Sequence, residues 1–205
     1  GITASDRVYD ATTAATLDTA SAGFTGLLGS DSLSVSTANG SFTDKNAATG
    51  KTVNISGLTL GGTDAANYTL VSDSASTTAS ISQADISAIT GVTASDKVYD
   101  ATTAATLDTA SAGFTGLIGS DALSVASGSG AFDDKNVATG KTVNISGLTL
   151  GGADAANYTL VSDAASTTAS ISQADISAIT GITASDRVYD ATTAATLDTA
   201  SAGFT

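Results

Sequence analysis

The stretch KTVNISGLTL, residues 51–60, decides the fold class because its apolar residues alternate with polar ones. Val53 and Ile55 are two residues apart, and the alternation resumes at Leu58 after a one-residue slip at Gly57. A period of two is typical of a β-strand with one buried face, and a glycine at a phase slip indicates a bulge or bend. The stretch therefore predicts a bent strand.

The segments around this strand show the same short period. DSLSVSTANGSFTD, residues 31–44, predicts a hairpin, because the pair Asn39 and Gly40 favours a tight turn between two strands. ANYTLVS (66–72) and STTASIS (76–82) predict two further strands. DATTAATLDTASA (10–22) is rich in Ala, but its Thr residues and its lack of apolar residues four apart favour strand and turn over helix.

The chain repeats itself with a period of 90 residues. Residues 1–90 and 91–180 differ at only 13 positions, and residues 181–205 repeat residues 1–25. A period of this size suits a small domain that closes its own core, because solenoid repeats run to about 20–50 residues. Six of the differences fall between 36 and 43, which predicts an exposed loop there. A series of separate domains, like beads on a string, is expected.

The composition argues against several classes of function. The chain has no His, Cys or Pro, all of its 20 acidic residues are Asp, and its net charge is −13. An acidic chain is a poor ligand for nucleic acid and for anionic membrane surfaces, and no apolar run of about 18 residues predicts membrane insertion. Without His, Cys or Glu, a general base near neutral pH would need a strongly shifted Asp, Lys or Tyr. No enzyme is expected.

One short motif concerns the turn after the central strand. LTLGGTDAANYTL, residues 58–70, places Asp64 four residues before Tyr68, and the second unit repeats the pair as Asp154 and Tyr158. The spacing resembles the E–F corner of immunoglobulin-like sandwiches, where a tyrosine corner bonds its hydroxyl to nearby backbone. The alternative, that each Tyr is an ordinary strand residue, stays open. With neither Cys nor Trp in the chain, only the sandwich architecture is inferred.

Short strands with turn signals every 8–12 residues or so predict an all-β fold of tandem immunoglobulin-like β-sandwich domains in an elongated array. Residues 1–85 are expected to form the first sandwich, 86–175 the second, and 176–205 the opening strands of a truncated third. No Pro or flexible Gly-Ser run separates the units near 83–85. The residues assigned to the junctions are Gln83, Asp85, Ile86, Asp96, Gln173, Asp175, Ile176 and Asp186.

Asp and Asn at short spacing make calcium the candidate cation, and no other cofactor is expected. Calcium takes about six to eight oxygen ligands, and the chain has no EF-hand or glycine-rich nonapeptide pattern. The favoured alternative is that these residues form turns by bonding their own backbone. The candidate ligands are Asp44, Asn46, Asp64 and Asn67, with their counterparts Asp134, Asn136, Asp154 and Asn157.

Three segments together resemble the YDG/MBG-type repeats of large bacterial surface adhesins of the filamentous-haemagglutinin-like, two-partner-secreted group. They are DRVYDATTAATL (6–17), FTDKNAATGKTVNISGLTLGGTDAANYTL (42–70) and TTASISQADI (77–86). One departure is visible, because Ala11 follows Tyr9-Asp10 where the family name has Gly. The resemblance implies an extracellular, all-β stalk repeat at a bacterial cell surface, with no catalytic residues to carry over.

The function expected from these observations is a structural stalk or spacer in an extracellular bacterial adhesin or surface filament. Its partners would be the adjacent repeats of the same chain. Two alternatives stay open. In one, the terminal residues 176–205 add strands to another copy and build a self-assembling filament. In the other, the units are adhesin modules that bind a glycan or a host protein, which would require a concave or aromatic-bearing patch.

Overall fold

The computed structural model describes residues 1–205 and confirms the all-β class, because its only helical elements are two 3₁₀ turns of three residues each. No helix in the chain has the length and apolar character needed to cross a bilayer. The strands of the first unit are Thr3–Ala4 (β1), Arg7–Val8 (β2), Ala14–Ala15 (β3), Leu17–Asp18 (β4), Ser34–Phe42 (β5), Ala48–Gly61 (β6) and Ala75–Ser82 (β7), with a 3₁₀ turn at Ala65–Asn67.

The later strands repeat this order. They are Ala84–Ile86 (β8), Ala88–Thr90 (β9), Thr93–Ala94 (β10), Lys97–Val98 (β11), Ala104–Ala105 (β12), Leu107–Asp108 (β13), Gly113–Thr115 (β14), Ser124–Phe132 (β15), Ala138–Gly151 (β16), Tyr158–Leu160 (β17) and Ala165–Ser172 (β18), with a 3₁₀ turn at Ala155–Asn157. The last four are Ile179–Thr180 (β19), Thr183–Ala184 (β20), Leu197–Asp198 (β21) and Gly203–Phe204 (β22).

Each unit is built on a five-stranded sheet with a long antiparallel hairpin at its centre. The strand order is β2-β7-β6-β5-β3 in the first unit and β11-β18-β16-β15-β12 in the second. The edge strand β2 lies parallel to β7, whereas the other pairs are antiparallel. The two sheets have the same register at equivalent positions, as expected from their near-identical sequences.

The central strand β6 has the form that its sequence predicts. Val53 and Ile55 are 0% and 2% exposed, while the residues that alternate with them, Thr52, Asn54 and Ser56, face solvent. The pairing of β5 with β6 shifts register between Thr37 and Asn39, opposite Gly57, which has a φ of +63°. The predicted bulge is therefore confirmed, and glycine suits it because this backbone region is costly for other residues.

The predicted turn at Asn39 and Gly40 is wrong, because both residues lie inside the continuous strand β5. The hairpin turns at 43–47 instead, where the Asn46 amide donates to Asp44 Oδ1 at 2.8 Å. Gly40 serves a close contact, since a Cβ there would lie 2.8 Å from Leu17 Cδ2. Glycine at position 40 is therefore explained by close packing against Leu17 rather than by a turn.

Two related expectations also change. The variable positions between 36 and 43 lie on or next to β5 rather than in a loop, and all but one are exposed. Their variation therefore reflects an outward-facing strand surface. The strand expected at 66–72 forms as β17 in the second unit, whereas Tyr68, Thr69 and Leu70 are not in a strand in the first. In the second unit this strand forms beside a neighbouring strand that pairs with it.

That neighbour is the segment 84–90, which joins the two units along the chain. Its first half, β8, lies parallel to β17, and its second half, β9, lies antiparallel to β14. By strand pairing, the second unit begins at Ala84, slightly before the expected position 86. The segment thus leaves the first unit and immediately completes the second.

One cluster of buried residues crosses the boundary between the units, which the expectation of beads on a string did not include, whereas two smaller clusters lie within the second unit. One cluster of eight buried residues combines Tyr9, Val53 and Ile81 of the first unit with Tyr158 of the second. Ile86 belongs to the same cluster and is 0% exposed. The apolar core is therefore continuous across the boundary, because the connecting strand packs on both sides of it.

A strained alanine marks the start of each unit. Ala11 and Ala101 have φ values of +64° and +65°, in the left-handed region. The turn forms without glycine, because the Thr12 amide donates to Asp10 Oδ1 at 2.9 Å and fixes the backbone.

Replacing Ala101 with Gly should raise the free energy of unfolding by about 1 kcal/mol, because a Cβ in the left-handed region costs about 1–2 kcal/mol and glycine loses somewhat more chain entropy. Urea denaturation followed by circular dichroism would measure the change. Ala104→Gly, in strand β12 with ordinary backbone angles, is the control and should lower stability. Equal effects of the two variants would contradict the strain at Ala101.

Candidate functional site at the junction between the units

The junction is organised around the carboxylate of Asp121, whose side chain is 5% exposed. Its Oδ2 accepts hydrogen bonds from the hydroxyls of Tyr9, at 2.6 Å, and Tyr158, at 2.8 Å. Its Oδ1 accepts from Lys45 Nζ at 2.9 Å. Tyr9 and Lys45 belong to the first unit, so one carboxylate of the second unit collects donors from both sides.

The side chains that meet at Asp121 shift one another's pKa values. Burial opposes ionisation of Asp121, but the hydrogen bonds from Tyr9, Lys45 and Tyr158 hold its pKa below the ordinary value. Burial and the bond to Asp121 raise the pKa of Tyr158 to about 12, and the same two causes raise the pKa of Tyr9. The bond to Asp121 also raises the pKa of Lys45. At neutral pH the site is thus one anion with three donors, one of them cationic.

The two tyrosine rings pack against each other across the boundary. Their centroids are 5.5 Å apart and their planes meet at 74°, an edge-to-face arrangement that favours association beyond simple area burial. Lys45 Nζ lies 5.7 Å from the centroid of the Tyr9 ring. The junction therefore combines apolar contact, aromatic packing and an ion pair at one place.

A second set of polar contacts lies beside the first. The Ala47 amide donates to Asn157 Oδ1 at 2.9 Å, and Asn157 Nδ2 donates to Asn46 Oδ1 at 3.4 Å. Thr159 Oγ1 donates to Gln83 Oε1 at 2.7 Å. Asn157 is 3% exposed, so its amide group is buried with its bonds made. These bonds fix the angle between the units, because buried amides are costly to leave unpaired.

The first unit provides an internal comparison. Its Tyr68 hydroxyl donates to Asp31 Oδ2 at 2.7 Å, which is the counterpart of the bond from Tyr158 to Asp121. Asp31 accepts no other side-chain hydrogen bond. The Tyr–Asp bond is therefore part of each unit, and the junction adds the donors of the preceding unit to it.

The model of the YDG domain family matches residues 1–79 and 83–169. The chain belongs to the YDG domain family. The break between the two matches lies next to Ala84, where strand pairing begins the second unit. Neither a curated protein nor a solved structure gives a significant match to the chain.

The Asp and Tyr of the predicted corner bond to a distant segment of their own YDG unit. The Ser32 amide donates to Asp64 Oδ2 at 2.8 Å, and the Leu28 amide donates to the Tyr68 hydroxyl at 3.1 Å. The second unit repeats both contacts through Asp154 and Tyr158. The partners of Tyr68, Leu28 and Asp31, lie 40 and 37 residues before it in the sequence. The assignment of a tyrosine corner stays a prediction.

The candidate calcium ligands are engaged in turns and ion pairs. Asp44 Oδ1 accepts from the Asn46 amide and from Lys51 Nζ, at 2.8 and 2.6 Å. Asp134 has the same arrangement with Lys141. Asn67 and its counterpart lie at the 3₁₀ turns. No group of three or more acidic side chains that could hold a metal ion forms anywhere in the chain, and calcium binding stays a prediction.

The residues assigned to the junctions lie in different places. Gln83 and Ile86 contact the boundary, and Asp85 is in β8. Asp96 does not reach across it, because its Oδ1 accepts from the Ser170 amide at the edge of its own sheet. Their exposed counterparts are Gln173, Asp175, Ile176 and Asp186.

Sequence reasoning missed the residues at the centre of the junction, Tyr9, Lys45 and Asp121. Tyr9 and Asp121 are 112 positions apart, so no local spacing connects them. The only available signal was the scarcity of aromatics, because the chain has only five Tyr and aromatic residues are enriched at interfaces.

Proposed function

We propose that this YDG-domain chain is a structural stalk, a stretch of the shaft of an extracellular bacterial adhesin or surface filament. In this proposal each unit is an immunoglobulin-like sandwich that adds a fixed length, and its partners are the neighbouring units. The chain catalyses no reaction. The observation that supports this role best is the continuous core at the junction, where Tyr9 and Tyr158 belong to one buried cluster.

A stalk has a defined length only if the angle between its units is fixed. Domains of one chain move relative to each other by default, unless their interface is large and apolar. Here only Gln83 separates β7 from β8, and its side chain is itself bonded across the boundary. The Asp121 network adds directional bonds to the apolar contact. A stiff junction follows.

The proposed sandwich rests on a second layer in the second unit. Ile89 of β9 forms a buried cluster with Ile145 and Leu148 of β16 and with Val92. The segment 84–90 therefore covers a face of the five-stranded sheet. The resulting units carry a net charge of −13 over the whole chain, which opposes lateral association of shafts at a cell surface.

A binding role has less support. Glycan and protein ligands are commonly held by accessible aromatic side chains, but of the ten aromatic residues only Tyr189 and Phe204 are exposed. Tyr9, Phe42 and Tyr158 are 2–3% exposed. These residues stabilise the core and the junction instead.

Small-angle X-ray scattering should test the stalk. We expect the distance distribution of the dilute monomer to match a rod with one fixed angle between the units. A variant with six Gly-Ser residues inserted after Ser82 is the control. Its distance distribution should be broader and have a lower peak, because a flexible linker lets the units adopt many angles. Indistinguishable curves from the two proteins would reject a stiff stalk. Repeating the measurement with calcium would also show whether the Asp and Asn sites alter the angle.

A further inference from the structure

Two phenols meet at a single oxygen atom at the junction between the units. Tyr9 and Tyr158 both donate to Oδ2 of Asp121, at 2.6 and 2.8 Å, and their ring centroids are 5.5 Å apart. Each tyrosine comes from a different unit, so the pair forms only where two units pack together. Phenols are readily oxidised, and the junction therefore holds two oxidisable groups in contact.

The orientation of the rings suits a bond between them. When a tyrosine loses an electron and its hydroxyl proton, much of the radical character lies on the Cε carbons, next to the oxygen. Because both hydroxyls converge on one atom, these carbons lie at the ends of the rings that face each other. The ring planes meet at 74°, and a biphenol is also twisted, since its hydrogens would clash if it were flat. Coupling needs the rings to approach but not to turn over.

The carboxylate of Asp121 provides the base that oxidation needs. Loss of an electron makes a phenol strongly acidic, and a base must then lie within hydrogen-bond reach of its proton. The cationic Lys45 Nζ is 5.7 Å from the Tyr9 ring centroid and opposes a positive charge on that ring. The electron and the proton must therefore leave together, and Asp121 accepts the proton. Its side chain is 5% exposed, which gives the proton a route to water.

The surroundings favour coupling within the pair over other reactions. Tyr9 and Tyr158 are 2% and 3% exposed and belong to the same buried cluster as Val53 and Ile86. A radical on one ring is thus shielded from other chains and has the second ring beside it. Reactants held in contact behave as if their concentration were far higher than any free solute reaches.

We propose that Tyr9 and Tyr158 are a modification site, at which an oxidative crosslink joins the two units covalently and Asp121 accepts the protons. The co-reactant is a one-electron oxidant in the surrounding solution, which takes electrons from the rings without entering the junction.

The reaction balances with two equivalents of this oxidant. Each tyrosine gives one electron to the oxidant and one hydroxyl proton, through Asp121, to water. The two phenoxyl radicals then form one carbon–carbon bond between a Cε of each ring. The hydrogens on these two carbons leave as protons, and both oxygens take up protons. The product is a biphenol with two hydrogen atoms fewer than the starting pair.

The crosslink would act as a lock on the junction. A covalent link between distant positions restricts the unfolded chain and so stabilises the folded one. It would also hold the angle between the units after the ion pair of Lys45 and Asp121 had been weakened. The coupling itself depends only on the junction geometry, whereas its use as a lock rests on the proposed stalk.

Photo-oxidation of the chain with a ruthenium tris-bipyridyl complex and persulfate tests the proposal. The cationic complex is attracted to a protein with a net charge of −13. The monomer should lose the mass of two hydrogen atoms, and trypsin digestion after unfolding should yield peptides 8–45 and 142–187 joined together. The monomer is separated first, because Tyr189 is 90% exposed and is open to coupling between chains.

Single substitutions identify the two rings. Tyr9→Phe and Tyr158→Phe each remove one oxidisable phenol and should abolish the joined peptides. Tyr99→Phe, at the position equivalent to Tyr9 in the second unit, is the matched control and should keep the yield of the parent chain. Joined peptides that persist in Tyr9→Phe would overturn the proposal. So would their absence from the parent chain under conditions where Tyr189 forms dimers, because the oxidant is then active.

The part played by Asp121 has its own test. Asp121→Asn keeps an oxygen that accepts hydrogen bonds but removes the base, so the yield at equal illumination should fall about 10-fold or more. Acidification through the pKa of Asp121, which lies below the ordinary value, should lower the yield of the parent chain but not that of Asp121→Asn. Circular dichroism would show that both stay folded. Equal yields, or equal pH profiles, would overturn the role of Asp121 as proton acceptor.

The crosslink and the stalk fail in different measurements. Scattering from the unoxidised chain tests whether the angle between the units is fixed, and it does not depend on any coupling. The joined peptides test the tyrosine pair, and they do not depend on the function of the chain.

Discussion

Replacing Ile86 with Ala should lower the free energy of unfolding of the second unit by about 3 kcal/mol, since removing a large aliphatic side chain from a core costs about 2–5 kcal/mol. Ile86 is 0% exposed and belongs to the cluster that spans both units. The loss should appear in urea unfolding followed by circular dichroism and tyrosine fluorescence. Because the cluster is shared, the transitions of the two units should also separate.

Ile176→Ala is the matched control for this variant. The side chain has the same sequence neighbours but is 62% exposed, so the change should stay within about 0.5 kcal/mol. Both proteins should be measured at the same low protein concentration. Equal losses would mean that burial of the segment 84–90 contributes little to the free energy of unfolding. The core cluster around Ile86 would then not be a main source of stability.

The elements that the sequence predicted well are those set by local pattern. The alternation around Val53 and Ile55 predicts β6, and the phase slip predicts the bulge at Gly57, because both follow from which side chains can face the core. The failure at Gly40 has a different origin. A glycine serves equally for a turn or for a close approach, and the neighbour that decides, Leu17, is distant along the chain.

The organisation of the units was harder to predict for the same reason. The sequence near Ile86 indicates a strand that continues from one unit to the next, and β8 and β9 are in that place. Its partners β17 and β14 could not be predicted, because long-range pairing leaves no local signal. A repeat length suited to an independent domain suggested closed cores, but the segment that pairs with β17 and β14 of the second unit lies before that unit in the sequence.

The junction network depends on how two units are oriented, which no spacing within one unit reveals. Every unit contains the same Tyr, Lys and Asp, and only the packed arrangement selects Tyr9 and Lys45 of one with Asp121 of the next. Only the structure shows that the equivalent carboxylates Asp31 and Asp121 differ in the donors that surround them.

That pair permits the second large test. Asp121→Ala should lower the free energy of unfolding by about 3 kcal/mol, because it leaves three donors, those of Lys45 and two buried tyrosine hydroxyls, without their acceptor, and each donor left unpaired costs about 1–3 kcal/mol. Asp31→Ala removes the partner of Tyr68 alone and should cost about 1 kcal/mol. Urea unfolding of the dilute monomers would measure both changes.

A Tyr9→Phe substitution in each background isolates the bond across the boundary. In the parent chain, losing this hydroxyl should be destabilising, since Asp121 then loses one of its donors. In the Asp121→Ala background the same substitution should have almost no effect, because the acceptor is already gone. In the Asp31→Ala background its cost should equal that in the parent chain, since Tyr9 does not contact Asp31. A Tyr9 effect that is the same in all three backgrounds would show that Asp121 does not couple the units, and stiffness would then rest on the apolar cluster around Ile86 alone.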